Sequence, residues 1–145
     1  MKLLIKKLSP DAKIPKRATE QSAGYDISSC EEREIAPGER AKIHTGISVE
    51  LVGAPESVLL LYARSSLAAN CGITLANCVG VIDTDYRGEI AVAMINQSDN
   101  SYTIKKGERI AQLVVTPVFT PEVEEAQELS DTARGAGGFG STGKD

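Results

Sequence analysis

The chain has 145 residues, a length that fits one domain with a hydrophobic core of its own. The net charge is −4, from 16 lysines and arginines against 20 aspartates and glutamates, and this balance argues against a protein that binds nucleic-acid polymers through a general basic field. Three cysteines without Cys-x-x-Cys spacing and a single histidine predict neither a disulfide framework nor a zinc site.

The amino terminus, MKLLIKKLSPD, has no apolar run longer than Leu3 to Ile5. That run is too short for the core of a signal peptide, and no segment approaches the ~20 apolar residues of a membrane span. We therefore expect no signal peptide, no membrane association, and a cytoplasmic or other reducing intracellular location.

Most of the predicted elements are short strands. Within residues 41–51 the apolar side chains occupy odd positions, which is the two-residue period of a strand. Pro117 has no backbone N–H, so the last strand must lie at a sheet edge or end there. Period or apolar runs predict strands at residues 3–5, 41–51, 58–62, 90–96, 101–105 and 113–118.

Turn signals separate these strands at residues 36–40, 53–55, 96–100 and 106–109. Two of the turns share the sequence Gly-Glu-Arg, which we interpret as one turn chemistry used twice. One short helix is expected at Ser65 to Asn70, with the Ser65 hydroxyl as its N-cap. Many short strands with one short helix predict an all-β barrel or sandwich.

Charge and glycine are unevenly distributed along the chain. Residues 122–145 hold six acidic residues against two basic ones, while the rest, with 14 of each, is neutral. Five of the 13 glycines fall in the last eleven residues. The predicted organisation is a β-structured body over residues 1–121, followed over residues 122–145 by an acidic connector and a mobile Gly-rich arm.

The segment Arg64-Ser-Ser-Leu-Ala-Ala69 follows an apolar strand and begins the predicted helix. Backbone N–H groups at a helix start, two hydroxyls and a guanidinium together form a natural anion site. The alternative is a capped helix beside a solvated arginine.

The segment Gly80-Val-Ile-Asp-Thr-Asp-Tyr-Arg-Gly88 has aspartates at two alternate positions, Asp83 and Asp85. In extended backbone these side chains would point the same way. The one histidine, His44, lies in a predicted strand and is expected to be an ordinary surface or half-buried residue. A carboxylate is therefore the expected general base, able to orient and deprotonate a water. The alternative is a hairpin whose tip caps its own backbone.

The segment Arg134-Gly-Ala-Gly-Gly-Phe-Gly-Ser-Thr-Gly143 has five glycines in ten residues. Backbone that can approach a ligand closely, a ring that can stack and hydroxyls that can bind phosphate predict a flap that orders over a nucleotide. The alternative is a linker-like terminus, in which Phe139 would have no role.

These segments, with Ser22-Ala-Gly-Tyr-Asp26 and Gly107-Glu-Arg-Ile-Ala-Gln112, resemble in order and approximate spacing the five motifs of the trimeric dUTP pyrophosphatases, or dUTPases. The resemblance spans residues 22–143. It implies a jelly-roll-like or distorted β-barrel subunit in a homotrimer, with active sites at subunit interfaces. The implied activity is Mg²⁺-dependent hydrolysis of dUTP to dUMP and pyrophosphate, which keeps uracil out of DNA and supplies dUMP for thymidylate synthesis.

The resemblance also implies a role for each matching residue. Asp83 matches the carboxylate that activates the attacking water, and Tyr86 matches the ring that lies against the deoxyribose and excludes a ribose 2′-OH. Asp26 resembles a residue that acts on the metal through water. The other matching positions are Asn77, Gly80, Val81 and Ile82 for the uracil slot, Arg64, Ser65, Ser66 and Gln112 for the phosphates, and Arg134, Phe139, Gly140, Ser141 and Thr142 for the arm that crosses to another subunit.

One motif departs from the dUTPase pattern, because Ala63-Arg-Ser-Ser66 stands where Pro-Arg-Ser-Gly is more usual. Arg-Ser-Ser-Leu-Ala also resembles the dCTP deaminases, which share the fold and the trimer. Their catalytic glutamate would fall at Ala93, so a deaminase would here lack its proton-shuttling carboxylate. A trimeric scaffold that binds nucleotide without hydrolysis is a further alternative, but it would need no water-activating Asp83.

Overall fold

The computed structural model describes residues 1–138 of the chain. Within them the elements follow the order β1(Lys2–Lys7), β2(Tyr25–Ser28), β3(Arg33–Ile35), β4(Arg40–His44), β5(Ile47–Val52), β6(Ser57–Ala63), α1(Ser65–Cys71), β7(Ile73–Leu75), β8(Gly80–Ile82), β9(Ala91–Asn96), β10(Tyr102–Ile104) and β11(Arg109–Pro117). The strands predicted at residues 3–5, 58–62, 90–96, 101–105 and 113–118 are confirmed with small shifts of their ends. In the described part of the chain, no helix is long and apolar enough to cross a membrane.

Every strand pairing in residues 1–138 is antiparallel. One sheet has the strand order β2-β11-β6-β8 and a second has the order β4-β9-β7, while β1 pairs with β5 and β10 pairs with β3. This is the all-β architecture with one short helix that the strand pattern predicts, and it agrees with the jelly-roll-like fold that the resemblance implies. The order β2-β11-β6 matters for function because it places the ends of three sequence-distant strands side by side.

A single hydrophobic cluster contains side chains from nearly all of these strands. The apolar side of β9 shows the period directly, since Val92 and Met94, together with Ile90 just before the strand, are each at most 2% exposed. Burial of this apolar surface is the main term that stabilises the fold. The buried polar side chain of Asn96 is also satisfied, because its amide donates to the carbonyl oxygens of Ile35 at 2.9 Å and Asn100 at 2.8 Å.

The single strand predicted over residues 41–51 is wrong, because the chain breaks it into β4 and β5 at Thr45 and Gly46. Gly46 has a φ of +67°, in the left-handed region, and a side chain there would bring its Cβ within 2.9 Å of Ser9. The two-residue period survives the break, since Ile43, Ile47, Val49 and Leu51 are all buried. Four further strands, β2, β3, β7 and β8, have three or four residues each, too few for a period to indicate them.

The helix is present, but the predicted cap at Ser65 is wrong. Helix α1 begins at Ser65 itself, and the N-cap position is Arg64, whose backbone is extended and whose side chain makes no capping hydrogen bond. The guanidinium is instead engaged elsewhere, as described below. The helix ends one residue later than predicted, at Cys71, where Gly72 adopts the left-handed conformation common at helix C-termini.

The two Gly-Glu-Arg turns have the same local geometry, as their shared sequence predicts. The Glu39 carboxylate accepts from the Ala36 N–H at 2.8 Å, and the Glu108 carboxylate accepts from the Lys105 N–H at 2.8 Å. The glycines that precede the two glutamates have φ of +74° and +78°. The strands that follow the two turns belong to different sheets. The repeat is therefore limited to the turn and does not extend to a larger structural unit.

Candidate active site

A cavity of about 410 Å³ lies beside the turn that follows β8. The Tyr86 N–H donates to the Asp83 carbonyl at 3.2 Å, so the backbone reverses here and the two aspartates are not neighbours on an extended strand. The segment is therefore a turn, but it is not the hairpin of the alternative, because β8 pairs with β6 whereas β9 belongs to another sheet. Within residues 1–138, neither aspartate side chain caps this turn, and the carboxylate of Asp83 is exposed. The cavity is lined by Lys42, His44, Val81, Ile82, Asp83, Tyr86, Glu89, Ile90 and Ala91.

The ring of Tyr86 folds back over the chain that follows it. Its hydroxyl donates to the Glu89 carbonyl at 3.1 Å, although the side chain as a whole is 47% exposed. A Cβ at Gly88 would lie 2.3 Å from the Tyr86 hydroxyl oxygen. This ring position therefore requires glycine at residue 88.

The carboxylate of Glu89 joins this wall of the cavity to the β4–β5 turn. One oxygen accepts from the Gly46 N–H at 2.8 Å, and the other lies 2.9 Å from the Nδ1 atom of His44. Partial burial raises the pKa of the Glu89 carboxyl, but the hydrogen bonds from His44 and Gly46 outweigh it and hold the pKa below the ordinary value of 4.5. His44, expected to be an ordinary residue, is half-exposed and lies in the wall of the candidate site.

A second cluster forms around Asp26. Its two carboxylate oxygens are paired with two guanidinium groups, Arg64 at 3.3 Å and Arg109 at 2.9 Å. Arg64 also donates to the carbonyl oxygen of Arg109 at 3.2 Å. Because these contacts engage Arg64, its side chain is not the freely solvated arginine of the alternative interpretation.

Strand pairing explains why these residues meet. Gln112 on β11 is opposite Asp26 on β2 and opposite Tyr62 on β6, one position before the end of that strand. The Gln112 amide donates to the carbonyl of Ala63 at 3.1 Å. A Cβ at Gly24 would lie 2.8 Å from the Gln112 amide oxygen, so the absence of a side chain there makes room for Gln112. A shallow cavity of about 310 Å³ is lined by these groups together with Ser65, whereas Ser66 is exposed beside it.

The two clusters lie apart within one chain. Ile82 is opposite Leu59 in the β6–β8 pair, so Asp83 lies near the start of β6, whereas Arg64 follows its last residue. The five residue-to-residue steps from Leu59 to Arg64 span about 17 Å at a rise of ~3.3 Å per residue. That separation prevents Asp83 and Arg64 from contacting one phosphate group while Arg64 stays paired with Asp26.

The residues expected to form the uracil slot lie along β8 and just before it. Gly80 is buried opposite Leu61, and a Cβ on Gly80 would lie 3.0 Å from that side chain. Val81 is 66% exposed, whereas Ile82 is buried. Asn77 is exposed and precedes the strand, outside the lining of the 410 Å³ cavity.

The described part of the arm ends at residue 138. Arg134 is exposed, and its Nε donates to the carbonyl of Gly137 at 2.9 Å, so it closes a local turn. The arm residues expected to contact substrate beyond it, Phe139, Gly140, Ser141 and Thr142, lie outside the described residues. Their roles and that of Arg134 remain predictions.

We tested whether the site suits Mg²⁺. Within residues 1–138, no group of three or more His, Cys, Asp or Glu side chains could hold a metal ion. Both oxygens of Asp26 are already paired with arginines, so direct ligation would disrupt these pairs. The donor set therefore fits a cation whose ligands are mainly phosphate oxygens and water, as is common for Mg²⁺.

Three residues of these clusters have no individual role in the sequence-based predictions. Glu89 follows Tyr86 by three positions, and only tertiary packing brings His44 against it. Arg109 lies within a recognised motif, but its pairing with Asp26 depends on the β2–β11 register. The sequence marks these residues only as charged or polar side chains close to turns. Many surface residues have the same feature, so it does not identify a site.

Comparison with known proteins identifies relatives over almost the whole chain. The family profile described as dUTPase matches residues 10–143. The deoxyuridine 5′-triphosphate nucleotidohydrolase of Nautilia profundicola is 53% identical over 144 residues, which cover 99% of this chain and 100% of the relative. The enzyme of the same name from a Hydrogenobaculum species is 50% identical, with 99% of each chain covered.

The fold is similar to that of a solved phage protein. The dUTPase of Staphylococcus bacteriophage 80alpha, solved with dUpNHpp, matches this chain with a TM-score of 0.89 and 34% identity over 98% of each chain. Sequence and fold thus point to the same group of proteins.

Proposed function

The chain belongs to the dUTPase family, and we propose that Asp83 is the general base with which it hydrolyses dUTP to dUMP and pyrophosphate. The observation that carries this proposal is the location of Asp83 and Tyr86 on one turn beside one cavity. In the reaction, a water oxygen bonds to the α-phosphorus as the bond from that phosphorus to the bridging oxygen of the departing pyrophosphate breaks. The proton of the water passes to the Asp83 carboxylate.

Substrate selection is assigned to Tyr86 and to β8. The exposed face of the Tyr86 ring would lie against the deoxyribose, where a ribose 2′-OH would clash. Strand β8 is at an edge of its sheet, so the backbone groups on its outer side are not used by β6. Backbone groups along Gly80 to Ile82 can therefore pair with the edge of uracil, with Asn77 beside them.

The triphosphate is assigned to the cluster around Asp26. Arg64 supplies positive charge, Ser65 and Ser66 supply hydroxyl groups, and Gln112 supplies an amide close to the α-phosphate. Because this cluster and Asp83 lie at opposite ends of the β6–β8 pair, we assign the two halves of each active site to different subunits of a homotrimer. The chemistry is then mainly positioning and charge neutralisation.

The segment after β11 supports a shared site. Phe119, Val123 and Leu129 are 98%, 97% and 88% exposed, which is unusual for large apolar side chains of a monomer. Docking on a neighbouring subunit would cover them. We therefore assign residues 122–145 to a connector and arm that bring Arg134, Phe139, Gly140, Ser141 and Thr142 over the substrate of another subunit, while residues 1–121 form the body.

Mg²⁺ is the proposed cofactor. When bound to the triphosphate, it would neutralise phosphate charge and orient the chain of phosphates. Asp26 would hold a water of the cation in place, and Arg64 would complement the remaining negative charge. This arrangement needs no cage of protein ligands.

A panel of four pyrimidine triphosphates tests the function. With dUTP, dCTP, dTTP and UTP offered separately in the presence of Mg²⁺, pyrophosphate should form rapidly from dUTP alone. Equal turnover of UTP would contradict the role given to Tyr86. Ammonia release from dCTP would favour the deaminase alternative, which the comparisons do not support, and tight dUTP binding without pyrophosphate would favour a non-hydrolysing scaffold.

A further inference from the structure

The chain that follows Tyr86 is fastened to the β4–β5 turn at several points. Two of the bonds involve the Glu89 side chain and two involve the main chain of Ile90. They are Glu89 with His44 at 2.9 Å, the Gly46 N–H to Glu89 at 2.8 Å, the Ile90 N–H to the Ile47 carbonyl at 2.9 Å, and the Thr45 hydroxyl to the Ile90 carbonyl.

We propose that His44 and Glu89 are positioning residues that set the orientation of the Tyr86 ring and thereby the discrimination between deoxyribose and ribose. The inference rests on the proposed function in one respect, namely that Tyr86 faces the sugar. Neither positioning residue needs to touch the reacting atoms.

Glu89 links the Tyr86 ring to the β4–β5 turn because it makes hydrogen bonds to both. Its carbonyl oxygen accepts the Tyr86 hydroxyl at 3.1 Å, while its carboxylate is held by His44 and by the Gly46 N–H. A shift of the Glu89 main chain therefore moves the acceptor to which the ring is tied. The ring is half-exposed even with this hydrogen bond in place, so loss of the bond would leave its exposed side without a polar anchor.

The position of Gly88 indicates in which direction the Tyr86 ring would move if it were released. Since the Tyr86 ring occupies the space where a Cβ on Gly88 would lie, the ring is packed against the main chain on one side. The hydrogen bond to Glu89 keeps it there. Release of Glu89 would let the ring swing outward, and the gap left beside the sugar would accommodate a 2′-OH.

The first test compares Glu89→Ala with a matched control, Glu39→Ala. Glu39 also accepts a turn N–H at 2.8 Å and pairs with a basic side chain, Arg33, but it lies in the turn before β4. We expect Glu89→Ala to lower the ratio of kcat/KM for dUTP to kcat/KM for UTP about tenfold, the effect of losing one charged hydrogen-bonded anchor. Most of the change should be a rise in kcat/KM for UTP, because the displaced ring would accommodate the 2′-OH, and Glu39→Ala should leave the ratio unchanged.

Two milder variants keep the test decisive if Glu89→Ala does not fold. His44→Ala removes one contact from a side chain that is 43% exposed, so folding should be retained. In His44→Ala, the ratio of kcat/KM for dUTP to kcat/KM for UTP should fall by a smaller factor than in Glu89→Ala. Glu89→Gln keeps an acceptor for Gly46 and a partner for His44, and it should restore most of the ratio.

A readout without nucleotide separates this proposal from the proposed function. The chain has 4 tyrosines, so 3-fluorotyrosine labelling gives four fluorine NMR signals, and Tyr86→Phe identifies the one from residue 86. In Glu89→Ala and His44→Ala that signal should move toward the position of a solvent-exposed tyrosine, whereas Glu39→Ala should not move it.

The outcomes are distinct. An unchanged ratio together with an unmoved signal overturns the positioning role, as does an equal effect of Glu39→Ala. If the wild-type protein does not prefer dUTP over UTP, the sugar-facing role of Tyr86 fails, and the fluorine signal alone then decides whether His44 and Glu89 orient the ring.

Discussion

Asp83 and Arg64 lie near opposite ends of the β6–β8 strand pair, one just after β8 and the other just after β6. Antiparallel pairing makes this separation unavoidable, because β8 ends where β6 begins. Asp83 lines the 410 Å³ cavity, whereas Arg64 is held against Asp26 at the far end of the sheet. Under the proposed function a single chain contributes to two different active sites, and this division leads to the first of the expected outcomes that follow.

Complementation between subunits tests the division directly. Asp83→Asn and Arg64→Ala chains should each be nearly inactive alone, yet activity should return when the two are denatured together and refolded as mixed trimers. For random mixing, about a quarter of the sites would combine an intact Asp83 from one subunit with an intact Arg64 from another. Pyrophosphate release measures the recovery. Refolding Asp83→Asn chains alone is the control, and absence of recovery in the mixture would place both residues in one subunit's site.

Replacement of Asp83 by asparagine should remove the proposed general base while keeping a side chain of nearly the same size and shape. We expect kcat to fall on the order of 10²- to 10⁴-fold, the usual contribution of general base catalysis, with the Kd for dUTP nearly unchanged. Asp85→Asn is the matched control, since Asp85 is exposed on the same turn but does not line the cavity. Single-turnover kinetics and calorimetric titration with a non-hydrolysable analogue provide the two values. Near-normal turnover in Asp83→Asn would show that another group takes the proton.

Deletion of residues 134–145 tests the arm. We expect the truncated chain to fold and to form trimers, because β11 ends at Pro117 and the core lies before it. Turnover of dUTP should fall severely, because the substrate loses the groups assigned to the arm. Light scattering gives the oligomeric state and pyrophosphate release gives the rate. Full activity of the truncated protein would reject the arm as part of the site.

Gly88→Ala tests the position of the Tyr86 ring. Gly88 does not have the positive φ that would strain an alanine, so the conflict is with the ring, whose hydroxyl oxygen would lie 2.3 Å from the new Cβ. The chain should therefore fold with a displaced ring and a weaker preference for dUTP over UTP, on the order of tenfold. A double-mutant cycle with Tyr86→Ala supplies the control, because Gly88→Ala should have little further effect once the ring is absent.

The hydrogen bonds of the Glu89 carboxylate should weaken in a defined acidic pH range. The folded-state pKa of this carboxyl lies below its ordinary value of 4.5, so its ionised form stabilises the folded protein above that pH, and the contribution is lost as the pH falls through the folded-state value. The Tm difference between the wild-type protein and Glu89→Gln should therefore shrink as the pH falls below about 4.5. Calorimetric scans across this range measure it, and a difference independent of pH would contradict the assignment.

Much of the secondary structure was predictable from the sequence because strand burial has a period of two. Residues Ile43 and Val49 are buried as that period requires, even though the chain turns between them. The break itself was missed, because Thr45-Gly46 interrupts the hydrogen bonding without interrupting the alternation. The helix cap was missed for a related reason, since Arg64 is held by Asp26, a residue 38 positions away in sequence.

The class of fold, the order of the motifs and the residue types available for chemistry can be read from the amino-acid sequence, because these depend on local pattern. Which of those residues meet depends on the folding of the whole chain. Register places Gln112 opposite Asp26 and keeps Asp83 away from Arg64, and packing brings His44 against Glu89. Contacts between distant parts of a chain depend on how strands pair and on which side chains share one space, and no local pattern encodes either.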